Sequence, residues 1–453
     1  MKDNNRLDMS RREFLKRLGI GTGSAVALMA MEPLNVLAQD KKSQTTAPNA
    51  MTYRVQHGSG EPISLLGFGM MRLPNNQEEV NQLVDYAIEH GVNYYDTAPM
   101  YMRGQSEVLM GNALSRHPRD KYFVATKMSN QGPNTWSFDA SKRMYDQSME
   151  RLKVDHIDYY LLHGIGGGMD SLKGRFLDNG ILDFLLKERE AGRIKHLGFS
   201  YHGDVRDFDW LLDHNDEYHW DFVQIQMNFL DWRHASLRGG RRTDADAEYL
   251  YGKCEKLGIQ CVVMEPLRGG AFGRMAQELI DQMKAVRPDD STARWAFRWV
   301  GSYPNILTVL SGMNRMDHLE ENVKTFSPLE VCTESENALL ADIADQMSGF
   351  PTIPCTACEY CMPCPYGVDI PGNFSYYNEA VREKILPLPA PTDSDYAERQ
   401  QAFVDGFRKA LPKAETWARA CQDCEECLTK CPQQIRIPNQ MARIVETLRV
   451  RKK

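Results

Sequence analysis

The sequence has no apolar run long enough for a stable membrane span. Its longest candidate, residues 18–31, is short and rich in Gly and Ala, whereas a spanning helix needs about 20 predominantly apolar residues. A polybasic stripe is also missing. The formal charge is −7, and removing the first 38 residues, which hold six Lys/Arg and four Asp/Glu, takes it to −9. A surface of that sign argues against a nucleic-acid partner. The one basic run, residues 449–453, reads as a solvated tail. No flavin motif is visible. No cysteine precedes Cys254, so the leader carries no lipid-anchoring thiol. The 11 cysteines are not spaced as a disulfide framework either: Cys254, Cys261 and Cys332 are scattered, and the other eight form two groups of four after residue 350.

The first 40 residues read as an address. Ser10-Arg11-Arg12-Glu13-Phe14-Leu15-Lys16, a mild apolar run and then Val36-Leu37-Ala38 resemble a twin-arginine (Tat) signal and imply export to the periplasm. A chance Arg-Arg pair in a cytoplasmic protein is the bland alternative. Residues 1–38 are therefore read as the signal and 39–50, rich in Lys, Gln, Ser, Thr and Pro, as a linker.

From Ile63 to about Phe326, short β-branched runs alternate with amphipathic stretches, the pattern of repeated βα units. Val80, Leu83, Val84, Ala87 and Ile88 mark one such helix by their spacing. The runs at 63–67, 94–96, 122–127, 157–163, 194–199, 222–226, 259–264 and 306–310 are the strand candidates. Eight units in this length predict a closed (β/α)8 barrel over residues 51–330 rather than an open sheet. The segment 53–64, centred on His57-Gly58-Ser59-Gly60, predicts a hairpin that plugs the barrel floor.

Polar residues interrupt three consecutive strand ends: Asp96, Lys127 and His163. In a parallel barrel such ends lie side by side on the catalytic face. Tyr101, five residues beyond Asp96, completes a set of four. Asp96-Thr97-Ala98-Pro99-Met100-Tyr101 with Gly104-Gln105-Ser106-Glu107, preceded by Leu66-Gly67-Phe68-Gly69 and followed in order by Lys127 and Leu161-Leu162-His163, resembles the active-site signature of aldo-keto reductases. The resemblance covers residues 51–326 and implies carbonyl–alcohol interconversion on a small substrate. Hydride addition builds charge on oxygen, so Tyr101 would be the acid, Lys127 held by Asp96 would favour its ionised form, and His163 would polarise the carbonyl.

The same resemblance implies a nicotinamide cofactor. Met70, Ser200, Gln224 and Met264 fall where relatives hold the nicotinamide. Met264 replaces a common stacking Tyr, and Tyr201-His202 follow the serine where Asn is frequent. Pro266 and Leu267, within Glu265-Pro266-Leu267-Arg268-Gly269-Gly270, belong to a loop that could offer backbone donors and a cation to the pyrophosphate. Gly312, Arg315, His318, Glu321 and Asn322 resemble the adenosine-phosphate segment. Arg315 tilts the expectation to NADP over NAD, although Gly312 and Met313 stand where Lys and Ser often assist it. Gly164-Ile165-Gly166-Gly167-Gly168 reads as a flexible loop.

The C-terminal 331–453 reads as a separate, mostly helical domain. Cys421, Cys424, Cys427 and Cys431 before Pro432 form the C-x2-C-x2-C-x3-C-P run of bacterial ferredoxins; Cys355, Cys358, Cys361 and Cys364 before Pro365 depart from it by one residue in the last gap. Zinc on the same thiolates is the competing reading. Resemblance to two-cluster ferredoxins implies two 4Fe-4S clusters with the fourth cysteines exchanged, so that Cys431 joins Cys355, Cys358 and Cys361, and Cys364 joins Cys421, Cys424 and Cys427. Two functions follow. One is an aldo-keto-reductase-type enzyme whose clusters relay electrons to or from a redox partner protein. The other is an iron-sulfur electron-transfer or docking protein whose barrel is a scaffold.

Overall fold

The computed structural model describes residues 50–235, 245–387 and 395–449. The twin-arginine segment, the linker to residue 49 and the arginines at 238, 241 and 242 lie outside them. Among the described residues no helix is long and apolar enough to cross a membrane.

The chain opens with an antiparallel hairpin, β1 (Tyr53–Val55) and β2 (Pro62–Ser64), pairing Tyr53 with Ser64 and Val55 with Pro62. Eight parallel strands follow: β3 (Leu66–Gly69), β4 (Tyr94–Asp96), β5 (Phe123–Met128), β6 (Ile157–Ile165), β7 (Ile194–Tyr201), β8 (Phe222–Gln226), β9 (Gln260–Met264) and β10 (Ile306–Ser311). They close in the order β10-β3-β4-β5-β6-β7-β8-β9, the expected (β/α)8 barrel. The expected first strand at 63–67 is corrected, because Ile63 belongs to the hairpin and the barrel strand begins at Leu66. The apolar run passes through both, so hydrophobicity cannot mark the break. Hydrogen bonds mark it: Ser64 Oγ donates to Leu66 O at 2.7 Å and Ser64 N to Asn93 Oδ1 at 2.8 Å, turning the chain into the wall. Ile63 is fully buried with Tyr94, Tyr159, Phe222 and Leu307, so the hairpin does fill the barrel floor.

Helices surround the barrel where the 3.6-residue pattern places them. Helix Gln77–Glu89 starts at Asn76, whose side chain accepts from the N–H groups of Glu78 and Glu79, and it buries Val80, Leu83, Val84 and Ala87. Because every strand runs the same way, Asp96, Lys127, His163, Ser200 and Gln224 come to one rim.

Helix Glu334–Ser348 leads out of the barrel. A capping box between Thr333 and Glu336 starts it. Leu340, Ile343 and Ala344 enter the barrel's outer core, and Glu336 accepts from buried Arg298 at 2.9 Å. Beyond it, helices Ile370–Arg382, Tyr396–Ala410 and Ile437–Leu448 enclose a second, smaller core around Phe374, Tyr377, Phe403 and Met441. This domain sits on the catalytic rim. Arg72 donates to Thr356 O at 2.5 Å, and Gln433 donates to Gln226 at 3.1 Å. The approach is close enough to require glycine at 269. Its φ is +65°, and a Cβ there would lie 2.5 Å from the Thr356 carbonyl oxygen.

Leu340→Ala removes an apolar anchor of the connecting helix and should cost about 2–5 kcal/mol. The measurement is the denaturant midpoint of far-UV circular dichroism. An unchanged midpoint would show that this helix is not part of the barrel's cooperative core.

Candidate active site and cluster ligands

Lys127, at the end of β5, has no exposed side chain. Its ammonium donates to both carboxylate oxygens of Asp96 at 2.6 Å and to the Thr97 carbonyl at 2.8 Å. An ammonium has three protons, and all are used here. Tyr101 arrives from the loop after β4, where Met102 and Arg103 take left-handed conformations that turn the chain back. Its ring lies 5.2 Å from the Lys127 nitrogen and meets His163 edge-on at 5.8 Å. The expectation that Lys127 stands against Tyr101 therefore holds as proximity, while the lysine's hydrogen bonds go to β4.

Burial dominates the titration of this group. It pushes the Tyr101 phenol well above its ordinary value, with Tyr360 and Asp96 adding to the rise. It pulls the Lys127 ammonium down against the opposing pull of Asp96. His163 falls well below the usual imidazole range through burial, then through the charges of Lys127 and Arg175. A neutral His163 whose Nδ1 lies 2.6 Å from the Ser129 hydroxyl can accept there and keep its proton on Nε2, the state needed to donate to a carbonyl oxygen.

Above these residues lies a cavity of about 610 Å³. Asp96, Tyr101 and His163 form part of its wall. Ser200 and Gln224 are register partners on β7 and β8, and both line it with Met264. Gln224 donates to the Met264 sulfur at 3.5 Å, while its buried amide oxygen has no partner. That oxygen is fitted to accept from an amide such as the nicotinamide carboxamide. Pro266, Leu267, Gly312, His318, Glu321 and Asn322 also line the cavity. Met70 and Arg315 are not brought to it. Met70 is packed in the core, and Arg315 is two-thirds exposed and paired with Asp317 at 2.7 Å. Arg268 turns inward toward Asp231 at 3.7 Å, and the cations on the cavity wall are Arg72 and Arg274.

Sequence reasoning missed Ser129, Arg274 and, above all, Tyr360. Ser129 stands two residues beyond Lys127 and had no motif to mark it. Tyr360, between Cys358 and Cys361, was hidden by its own motif, since a residue inside a ligand run is read as a spacer. Its side chain reaches the barrel, where its hydroxyl donates weakly to the Met71 sulfur at 3.9 Å. With Cys358, Pro432 and Gln433 it lines the same cavity.

The eight cysteines form two groups around small apolar cradles. Cys355, Cys358, Cys361 and Cys431 share one with Ile370 and Phe374; Cys364, Cys421, Cys424 and Cys427 share the other with Val368, and Cys361 borders it as well. The fold thus brings together the exchanged sets. The two runs also repeat each other. Each has left-handed residues two and four positions after its first cysteine, Ala357 and Glu359 in one, Asp423 and Glu425 in the other. Each has another three positions after its fourth, Gly367 and Gln434. A helix with Pro in its first turn then follows. The missing residue in the first run therefore leaves the turn and helix after it in place. Among the described residues no three His, Cys, Asp or Glu side chains converge as around one metal ion.

Comparison with known proteins agrees with both halves. The sequence model of the aldo/keto reductase family matches residues 65–345, and that of the 4Fe-4S dicluster domain matches residues 354–437. The uncharacterized oxidoreductase YqkF of Bacillus subtilis is 26% identical over 296 residues, 61% of this chain and 92% of its own length. L-galactose dehydrogenase of Arabidopsis thaliana is 24% identical over 303 residues, covering 61% and 88%. Among solved structures, aldo-keto reductase AKR11C1 from Bacillus halodurans in its holo form shares the fold at a TM-score of 0.52 and 24% identity, covering 65% of this chain and 96% of its own. An aldo/keto reductase from Klebsiella pneumoniae in complex with NADP and acetate does so at 0.52 and 23%, covering 64% and 94%. With a match across more than half of its length, the chain belongs to the aldo/keto reductase family, as an oxidoreductase whose barrel continues into a 4Fe-4S dicluster domain.

Proposed function

We propose that the protein interconverts a small carbonyl compound and its alcohol with a nicotinamide dinucleotide held in the barrel cavity. In this reading two 4Fe-4S clusters relay electrons between that cavity and a redox partner protein. The observation that carries it is a single cavity bordered by Tyr101 and His163 on the barrel side and by Cys358 on the other. The nicotinamide would supply or take hydride, and the clusters single electrons. Ser200 and Gln224 would hold the carboxamide, with the unpartnered Gln224 oxygen as acceptor. Arg274 and the backbone near Gly270 would meet the pyrophosphate. NADP is the favoured form. The Klebsiella pneumoniae relative is in complex with it.

In the reductive direction His163 Nε2–H and the Tyr101 hydroxyl converge on the carbonyl oxygen. Tyr101 gives up its proton as the alkoxide forms, and His163 orients the oxygen. Lys127 and Asp96 form a neutral buried pair that fixes the loop carrying Tyr101 and leaves a positive end beneath its ring. Arg11 and Arg12 support export of the folded, cluster-loaded chain by the twin-arginine route to the periplasm.

Tyr101→Phe should lower kcat and kcat/KM together by about 10²–10⁴-fold with cofactor binding retained, because the hydroxyl acts only as charge develops. Lys127→Met should lower them similarly and alter their pH dependence. Wild-type turnover by Tyr101→Phe, on a substrate the native protein turns over, would favour the scaffold reading. Anaerobically purified protein should hold about eight irons and about eight acid-labile sulfides per chain; zinc without broad visible absorbance would remove the relay. Replacing Arg11 and Arg12 by Lys should leave folded precursor in the cytoplasm, and normal periplasmic accumulation would refute the export assignment.

A further inference from the structure

The first cysteine cradle has a buried hydroxyl in its wall. Thr356 stands between Cys355 and Cys358 and lines the cradle with them, with Cys361 and with Cys431. The residue is 3% exposed, and its side-chain oxygen makes no hydrogen bond of ordinary geometry within the fold. The Cys358 sulfur lies within its reach. Ile370, Pro371, Phe374, Ile435 and Ile437 make up most of the remaining wall and offer no side-chain acceptor. Of the polar side chains there, Glu359 is exposed and the Gln433 amide donates to Gln226 at 3.1 Å. A buried hydroxyl without a partner costs stability, and a valine of the same shape would avoid the cost. Threonine is explained by an acceptor among the groups the cradle binds. A 4Fe-4S cluster held by these cysteines fits, because its sulfurs accept hydrogen bonds and the hydroxyl has one to give.

Thr356 is also the residue on which the barrel presses. Arg72 donates to its carbonyl at 2.5 Å, and a Cβ at Gly269 would lie 2.7 Å from its own Cβ. Backbone and β-carbon are thus held from the barrel side, and a β-branched residue has few rotamers left. The seat of the domain, and not the loop alone, fixes where the hydroxyl points. The second run differs at this place. Both runs share their left-handed turns, but the position that corresponds to Thr356 is Gln422, whose amide donates to the Ala420 carbonyl at 3.4 Å. Reduction adds a negative charge to a cluster, so a hydrogen bond to one of its sulfurs strengthens as the electron arrives and favours the reduced state. Thr356 gives that advantage to the set beside the cavity.

We infer that Thr356 tunes the first cluster: its hydroxyl donates to a sulfur of the group held by Cys355, Cys358, Cys361 and Cys431 and raises that cluster's reduction potential. The inference rests on the reading of these cysteines as 4Fe-4S ligands, which iron and sulfide analysis of the same samples checks separately. The cluster-loaded full chain is titrated anaerobically, and its two reduction steps are followed by electron paramagnetic resonance. Thr356→Val keeps the shape and removes the hydroxyl. It should make one step about ten-fold less favourable, a fall of about 59 mV for one electron, and leave the other step where it was. Thr356→Ser keeps the hydroxyl and should stay near the native value. After exchange into heavy water, pulsed measurements on the native chain should show a deuteron coupled to the first cluster that Thr356→Val lacks. If Thr356→Val does not retain iron, Thr356→Ala is measured in its place. Potentials that stay put, two potentials that move alike, a serine variant that falls as far as the valine one, or a native chain without that deuteron overturns the inference, even with iron and sulfide complete. Zinc in place of iron in the native chain overturns the cluster reading itself and the inference with it.

Discussion

An ammonium ion with no exposed surface needs compensation on every side, and Lys127 finds it within one neighbouring segment. Asp96 supplies two oxygens and Thr97 one. Removing one partner of such a pair leaves a buried charge, at a cost of about 3–5 kcal/mol. The pair therefore constrains everything on that rim. It ties β4 to β5, fixes where the chain leaves β4, and so fixes Tyr101 five residues later. Thr97 Oγ1 and Ser106 Oγ are 2.7 Å apart, and Ser106 donates to the Met70 carbonyl at 2.7 Å, which extends the constraint to the loop after β3. Met70, expected at the cofactor, acts here through its backbone, beneath the site.

The second constraint is the seat of the iron-sulfur domain. It does not trail from the barrel as an appendage. Glu336 joins the connecting helix to Arg298, Thr356 presses on Gly269, and Gln433 reaches Gln226 on β8. The contacts come from both cysteine runs, which fixes the domain at two points and turns its first cradle toward the barrel rim. In a plain barrel that rim would be open to solvent. Here Cys358 and Tyr360 border the cavity.

Much of this was legible in the sequence, for separable reasons. The eight strands were marked by apolar runs bounded by polar ends, and the helices by their 3.6-residue spacing. Asp96, Lys127 and His163 stood out because a charged or imidazole side chain closing an apolar strand has few structural excuses. The cysteine spacings marked the candidate ligands directly. What the sequence did not disclose was everything that depends on two distant segments meeting. The hairpin and β3 share one apolar run, so only hydrogen bonding to Asn93 separates them. Arg268 and Arg274 are equally good cations in a linear reading, and packing against Asp231 draws the first away from the cavity. Tyr360 carries no periodicity and no motif of its own. Its meaning appears only when a loop some 260 residues from Tyr101 in sequence is laid across it.

The arrangement of the two cysteine sets bears on electron counting in the proposed relay. A hydride carries two electrons and a 4Fe-4S cluster accepts one, and the chain has no flavin motif to divide them. Two one-electron centres in series would match the total, provided one faces the reaction site and the other faces the outside. The sets are disposed in that way. Cys358 of the first borders the cavity, whereas Cys424 of the second is exposed. Cys361 lies on the walls of both cradles, so the two sets adjoin at that side chain. In the proposed relay, the side of the second set that carries exposed Cys424 is the one a redox partner would approach.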